Sequence, residues 1–298
     1  AIKNLIKELN IKTKTYSKII KIGRTHTQDA TPLRMGDEFS GYLHQIQNNY
    51  KRIVLAKREL NYLAQGGTAV GSGINAPKNF DKIFCKYLNK MTKNKYKPAI
   101  NKFEVIANHD SLVNFSNSIN TLAISLFKIL NDIRFLSSGP RSGLGEINIP
   151  ANEPGSSIMP GKVNPTQIEA LSMVCCQIMG NNLAVNQGGA QGHFELNAFK
   201  PLIIFNIINS INLLSDGINS FNKHCLKDLS INKENIKKHL NNSLMLVTAL
   251  NKHIGYDNAA IIAKKAFKEN ITLKEAAMKL KLVTEKEFDR IVDPKKMI

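Results

Sequence analysis

Residues 155–165 read Gly-Ser-Ser-Ile-Met-Pro-Gly-Lys-Val-Asn-Pro, and this short run concentrates the groups best suited to chemistry. Ser156 and Ser157 offer adjacent hydroxyls, Lys162 a cation and Asn164 an amide, between two glycines that let backbone approach a ligand closely. Asn164 followed by Pro165 predicts an N-cap with proline at the first helical position. Lys162 and Asn164 would then stand where a helix start favours an anion. Glu169, four residues after Pro165, lies one predicted turn further along the same face. A plain loop leading into a helix would use the same residue types, so the local chemistry leaves both readings open.

Positioning such groups needs a scaffold, and its period is helical. Leu112, Phe115, Ile119, Leu122, Leu126, Ile129 and Ile133 recur at spacings of three and four, the pattern of a long helix packed in coiled-coil fashion. Phe39, Tyr42, Ile46, Ile53, Leu60 and Leu63 repeat it, as do Ile204, Ile207, Ile211, Leu214, Ile218 and Phe221. A fourth helix is expected from Pro165 to about Gly180 or beyond, at the centre of the bundle because its polarity is lower still. Strand-like alternation is nearly absent, so the predicted fold is all-α. Two domains are expected: a central long-helix bundle over 1–229, and a small helical C-terminal domain over 230–298, where helices shorten and Lys and Glu accumulate. Residues 1–20 read as the tail of an amphipathic helix without an initiator methionine, so the chain is expected to be truncated at its N-terminus.

Composition narrows the function classes. At 298 residues, 43% hydrophobic, the chain can bury a large core. A net charge of +18 invites a nucleic-acid reading, but the excess is scattered, with no RNA-binding motif and no aromatic stripe. A positive field that draws small anions to a cleft is the milder consequence. Cys85, Cys175, Cys176 and Cys225 show no CxxC spacing and are expected to be reduced and buried. The uncharged stretch 170–194 could span a bilayer by length, yet it carries Asn181, Asn182, Asn186, Gln187 and Gln191. It is expected to be a buried helix followed by a glycine-rich loop, not a membrane span. The run Gly66 to Gly73 lacks the lysine of a phosphate-binding loop and follows a helix, so no nucleotide site is assigned.

A second chemically rich connection, Gly23-Arg24-Thr25-His26-Thr27-Gln28-Asp29-Ala30, carries a histidine among polar neighbours. Together with GSSIMPGKVNP, with Gly139-Pro140-Arg141 running to Glu146, and with the Gln187-Gly188-Gly189, 192–197 and 253–257 segments, it resembles the fumarase/aspartase superfamily along essentially the whole chain. Gly161 before Lys162, and Asn164-Pro165-Thr166-Gln167 after it, are similar to the class II fumarases, where aspartases usually have alanine before the lysine.

That resemblance implies reversible hydration of fumarate to (S)-malate, a step of the tricarboxylic acid cycle. Ser156 would take the carbon-bound proton and Ser157 help hold substrate, while Lys162 and Asn164 bind a carboxylate. His26 would handle the oxygen-side proton, Thr25 donate to a carboxylate, and Glu169 keep His26 charged. It implies no cofactor and no metal, a small dicarboxylate substrate, and a homotetramer whose sites are shared between subunits, the His26 and Ser156 loops coming from different chains. Neither a nucleic-acid nor a membrane partner is expected. The family fold has a further N-terminal domain, so the isolated chain is expected to be weakly active or inactive. The alternatives are aspartate ammonia-lyase and a non-catalytic bundle. The expected location is cytoplasmic, with the mitochondrial matrix left open.

Overall fold

A computed structural model describes all of residues 1–298. In chain order the elements begin with α1 (Ile2–Thr15), the strands β1 (Ile20–Thr25) and β2 (Gln28–Arg34), and α2 (Met35–Glu59). They continue with β3 (Tyr62–Leu63), α3 (Phe80–Thr92), β4 (Lys97–Pro98), α4 (Lys102–Ala107), α5 (Asp110–Leu136) and β5 (Ile147–Asn148). The two most apolar helices follow, α6 (Thr166–Ala190) and α7 (Lys200–Phe221), the latter ending in a π-turn over Asn222–Leu226. The remainder is β6 (Ser230–Ile231) and the shorter helices α8 (Lys233–Asn242), α9 (Asn251–Ile254), α10 (Tyr256–Glu269), α11 (Leu273–Leu280) and α12 (Glu285–Ile291). The fold is all-α, and each sheet is only a pair of strands.

The residues form two compact units that interleave along the chain. One holds 1–6, 44–132 and 151–227; the other holds 7–43, 133–150 and 228–298.

In the first unit α6 packs along α7 and α5. Gly188 lets α6 approach Ile203 of α7, where a Cβ would come within 3.1 Å of that side chain, and at Gly189 a Cβ would sit 2.4 Å from Val113 of α5. These contacts explain why α6 runs on to Ala190 through the segment expected to be a glycine-rich loop. Glycine costs a helix about 1 kcal/mol relative to alanine, and close packing of two neighbouring helices offsets it. Amides knit the same interfaces: Asn181 donates to Ser210 (3.1 Å), Asn182 to Asn117 (3.1 Å), and Ser116 to Asn182 (2.7 Å). Buried polar groups satisfied in this way favour one register over its neighbours.

The spacing-of-three-and-four reading of α5 holds, with Leu122 and Leu126 at 0% and 1% exposure. Two other stripes need correction. α2 stops at Glu59, so Leu60 falls in a turn and Leu63 in β3, paired in parallel with Pro98. In α7 the inward residues are Ile203, Ile207, Ser210, Leu214 and Ile218, while Ile204 and Ile211 are 44% and 41% exposed. A helix apolar on several faces does not reveal from spacing alone which stripe turns inward.

The second unit is built on an apolar cluster from its C-terminal helices. Leu250, Ile262, Ala276, Ala277 and Phe288 are its centre, and Ile22 of β1 is buried within it. α11 and α12 each begin with a capping box, Thr272 with Glu275 and Thr284 with Glu287, which satisfies backbone donors that a short helix would otherwise expose. β5 pairs with β6 through Ile147 and Ile231. The strands β1 and β2 form an antiparallel hairpin over the Gly23–Pro32 segment, which the sequence presents as a chemically rich connection between helices. Its arms are mostly polar and carry Gly23 and Pro32, so the period-two signal that marks a strand is weak.

Candidate active site

The Ser156 loop is closed by its own backbone and by two amides. The Gly155 N–H donates to the Lys162 carbonyl at 3.1 Å, and the Asn164 Nδ2 donates to the Gly155 carbonyl at 2.6 Å. Residue 155 must be glycine here, because a Cβ would lie 2.1 Å from the Lys162 carbonyl oxygen. At the entrance to the loop the Asn152 amide donates to the His224 carbonyl in the π-turn after α7, at 2.8 Å, and the Thr166 hydroxyl donates to Glu153. The result is a concave pocket of about 580 Å³, open to solvent, lined by residues 151–156 and 159–163. That volume suits a small ligand.

Inside the closed loop, Ser156 is half-buried, and its Oγ accepts the backbone N–H groups of Ile158 (3.1 Å) and Met159 (3.0 Å). Two oriented donors on one hydroxyl oxygen lower the cost of negative charge on that oxygen. Ser157 and Lys162 are exposed beside it.

The helix start differs from its prediction by one residue. The Pro165 carbonyl accepts the Glu169 N–H at 2.9 Å, which makes Pro165 the N-cap, and no side chain caps it. Asn164 is half-buried and spent on closing the loop, an interaction across nine residues that outcompetes the local cap. An amide nitrogen carries two protons, so Asn164 keeps one for a ligand. Glu169 sits half-buried in the first turn of α6.

Thr25 and His26 are at the tip of the β1–β2 hairpin in the second unit, both exposed. His26 and Thr27 have φ of 54° and 61°, the left-handed pair of a two-residue hairpin turn. Neither residue is glycine or asparagine, and Thr27 is β-branched, so the turn costs about 1 to 2 kcal/mol per residue. Strain of this kind concentrates where a side chain must be presented. The structure thus brings Ser156, Ser157, Lys162, Asn164 and Glu169 together on one loop and helix of the first unit, while Thr25 and His26 belong to the hairpin of the second.

Two anchors went unassigned in the sequence. Asn152 reaches a carbonyl 72 residues away, and Glu146 ion-pairs with Arg24 across 122 residues. No local signal marks either contact.

No group of His, Cys, Asp and Glu is arranged to hold a metal ion. All four cysteines are free; Cys85, Cys175 and Cys225 are buried, whereas Cys176 is exposed, against expectation.

Set against known proteins, residues 1–180 match the family described as Lyase, and residues 246–298 match that described as Fumarase C C-terminus. The chain belongs to this lyase family. Among its relatives, the class II fumarate hydratase of Rickettsia felis is 60% identical over 298 residues, all of this chain and 65% of the relative. The mitochondrial fumarate hydratase of Dictyostelium discoideum is 55% identical over the same 298 residues, 61% of its length. The crystal structure of a class II fumarase from Schistosoma mansoni superimposes with a TM-score of 0.97 at 45% identity, over 99% of this chain and 65% of that one. The chain therefore spans less than two thirds of the length of the relatives it matches.

Proposed function

We propose that the two loops serve reversible hydration of fumarate to (S)-malate. The supporting observation is the pair of backbone N–H groups on Ser156 Oγ. In the dehydration direction Ser156, as alkoxide, takes a proton from the carbon beside one carboxylate, and the electron pair passes into that carboxylate as a dianionic intermediate. Lys162, the spare N–H of Asn164 and the unpaired amides of the first α6 turn stabilise the added charge. The electrons then return to form the carbon–carbon double bond while the hydroxyl leaves as water, protonated from His26. Glu169 accepts a hydrogen bond from His26, Thr25 donates to a carboxylate and Ser157 helps orient the substrate. The proposed ligand is a small dicarboxylate, and the proposed steps call on neither metal nor cofactor.

The assay follows the ultraviolet absorbance of fumarate with and without ammonium. Loss of fumarate without ammonium supports hydration, and loss only with ammonium would assign the site to aspartate ammonia-lyase instead.

The working form proposed is a homotetramer in which the His26 loop of one copy joins the Ser156 loop of another. It is supported by the outward apolar residues of α6 and α7 within their unit, including Met173 at 67%, Leu183 at 61% and Phe205 at 67% exposure. Cys176 reports on this assembly. Burial pushes the Cys175 thiol up to about 12, so it stays protonated near neutral pH and inert to alkylation in any state. The exposed Cys176 on the same helix is expected to react at least about tenfold more slowly in the assembled protein than in the dissociated chain, as read by mass spectrometry of the labelled peptide. Equal rates would remove α6 from the interface.

As to modules, we propose the bundle over 1–229 and the C-terminal domain over 230–298 as the family's successive parts, supported by the separate match of 246–298. A cytoplasmic location accompanies this reading, to be tested by fractionation against the mitochondrial matrix.

A further inference from the structure

Glu146 is the most deeply buried charge in the second unit, with its side chain at 0% exposure. Its backbone is pinned at both ends: its N–H donates to the Leu136 carbonyl at 2.8 Å, and its carbonyl accepts the Asn232 N–H at 2.9 Å. From that fixed point the carboxylate faces strand β1. Oε1 accepts from the Arg24 Nη2 at 2.6 Å, and Oε2 lies 3.2 Å from the Lys21 Nζ, at ion-pair distance but off the line of a hydrogen bond. Lys21, only 3% exposed, also bonds Glu38 at 2.8 Å, and the Tyr42 hydroxyl donates to Glu38 at 3.1 Å. Two cations of one strand thus meet two carboxylates from outside the hairpin, and the buried charge balances.

The spacing along β1 gives this network a purpose. Lys21 and Arg24 flank Gly23, where the β1–β2 register slips between Ile22 and Arg24 and where a Cβ would stand 2.7 Å from the Thr31 carbonyl. An irregular register is weakly specified by pairing alone. Beyond it the ladder has only Arg24 opposite Asp29 and Thr25 opposite Gln28 before the strained turn at His26 and Thr27. Only these two residue pairs separate the register shift from the left-handed His-Thr turn, and the Arg24–Glu146 ion pair is the last side-chain clamp on β1 before the tip.

We propose that Glu146 is a positioning residue for His26: by clamping Lys21 and Arg24 it sets the hairpin register past the bulge and fixes where the imidazole stands. The inference rests on the proposed function only in giving His26 a reaction to serve. Its test has one arm that needs no turnover. In Glu146→Gln, amide hydrogen exchange at Arg24, Thr25, Gln28 and Asp29 is expected to quicken at least about tenfold, while α5 and α7 amides change less than about threefold. The His26 ring signal in the nuclear magnetic resonance spectrum, assigned with His26→Asn, is expected to shift and broaden while those of His44 and His253 stay. Glu146→Asp, which keeps the charge, is expected to restore part of the protection.

Should Glu146→Gln fail to fold, Arg24→Gln decides, because Arg24 is 16% exposed and a glutamine there can reach water. Unchanged hairpin exchange in Arg24→Gln, a uniform loss of protection across both units, or an unmoved His26 signal would each overturn the proposal. Where fumarate turnover is measurable, kcat is expected to fall about tenfold or more with KM within about threefold. A chain without turnover leaves exchange and the His26 signal to judge the positioning.

Discussion

Ser156→Ala is expected to lower kcat/KM for malate dehydration by about a thousandfold, the middle of the range for a positioned acid or base, equivalent to about 4 kcal/mol of transition-state stabilisation. The size of the effect follows from the geometry at Oγ. Two backbone N–H groups at 3.1 and 3.0 Å stabilise the oxygen only when it carries charge, so the interaction gains strength as the proton leaves the hydroxyl. Alanine removes the base and leaves those donors to solvent. The global stability change is expected to stay within about 1 kcal/mol, since the loop is open to water. Circular dichroism melting beside the kinetics separates the two outcomes. Retained turnover in Ser156→Ala together with loss in Ser157→Ala would move the base to the neighbouring hydroxyl and remove the role assigned here.

Gly155→Ala is expected to cost about a hundredfold in kcat/KM, the scale of an ångström-level misplacement, although residue 155 need not touch substrate. Its Cβ would meet the Lys162 carbonyl oxygen at 2.1 Å, the carbonyl carbon at 2.8 Å and the Asn164 nitrogen at 3.2 Å, all backbone atoms that cannot rotate away. Relief requires opening the Gly155–Lys162 and Gly155–Asn164 hydrogen bonds, which releases Lys162 and the amides around Ser156 together. Gly161→Ala is the control. It has φ of 79° but open space around the added methyl, so it meets only the left-handed penalty of about 1 to 2 kcal/mol. A smaller kinetic loss for Gly161→Ala than for Gly155→Ala is expected from the same assay. Equal losses would mean that loop flexibility, and not its closure across residue 155, sets the rate.

Several features were legible because their causes are local. The helix over Asp110–Leu136 follows from apolar residues three and four apart, and its buried face is the one the spacing selects. The chemical inventory of the Ser156 loop needed only residue identity and order. Less was legible where a contact spans the chain. Asn164 looked like a helix cap, and only the folded loop shows its amide on Gly155. The glycines at 188 and 189 looked like a loop, since nothing within a few residues reveals that Ile203 and Val113 press against them. The stripe on α7 is right at Ile207, Leu214, Ile218 and Phe221 and wrong at Ile204 and Ile211, because the helix is apolar on more than one face and the neighbours it packs against decide which residues turn inward.

By itself, then, the sequence determined the helical class, the positions of the main helices other than the far end of α6, the family resemblance, and the set of groups able to move a proton or hold a carboxylate. Those depend on propensity, periodicity and residue type, which act over a few positions. Tertiary structure decided how those groups are held: two amides on Ser156 Oγ, a glycine with no room for a methyl, and a histidine on a strained turn behind a clamp reaching from Glu146 to Lys21 and Arg24. Each of these is fixed by steric exclusion or by charge buried away from water, and both arise only when segments distant in the chain are packed together.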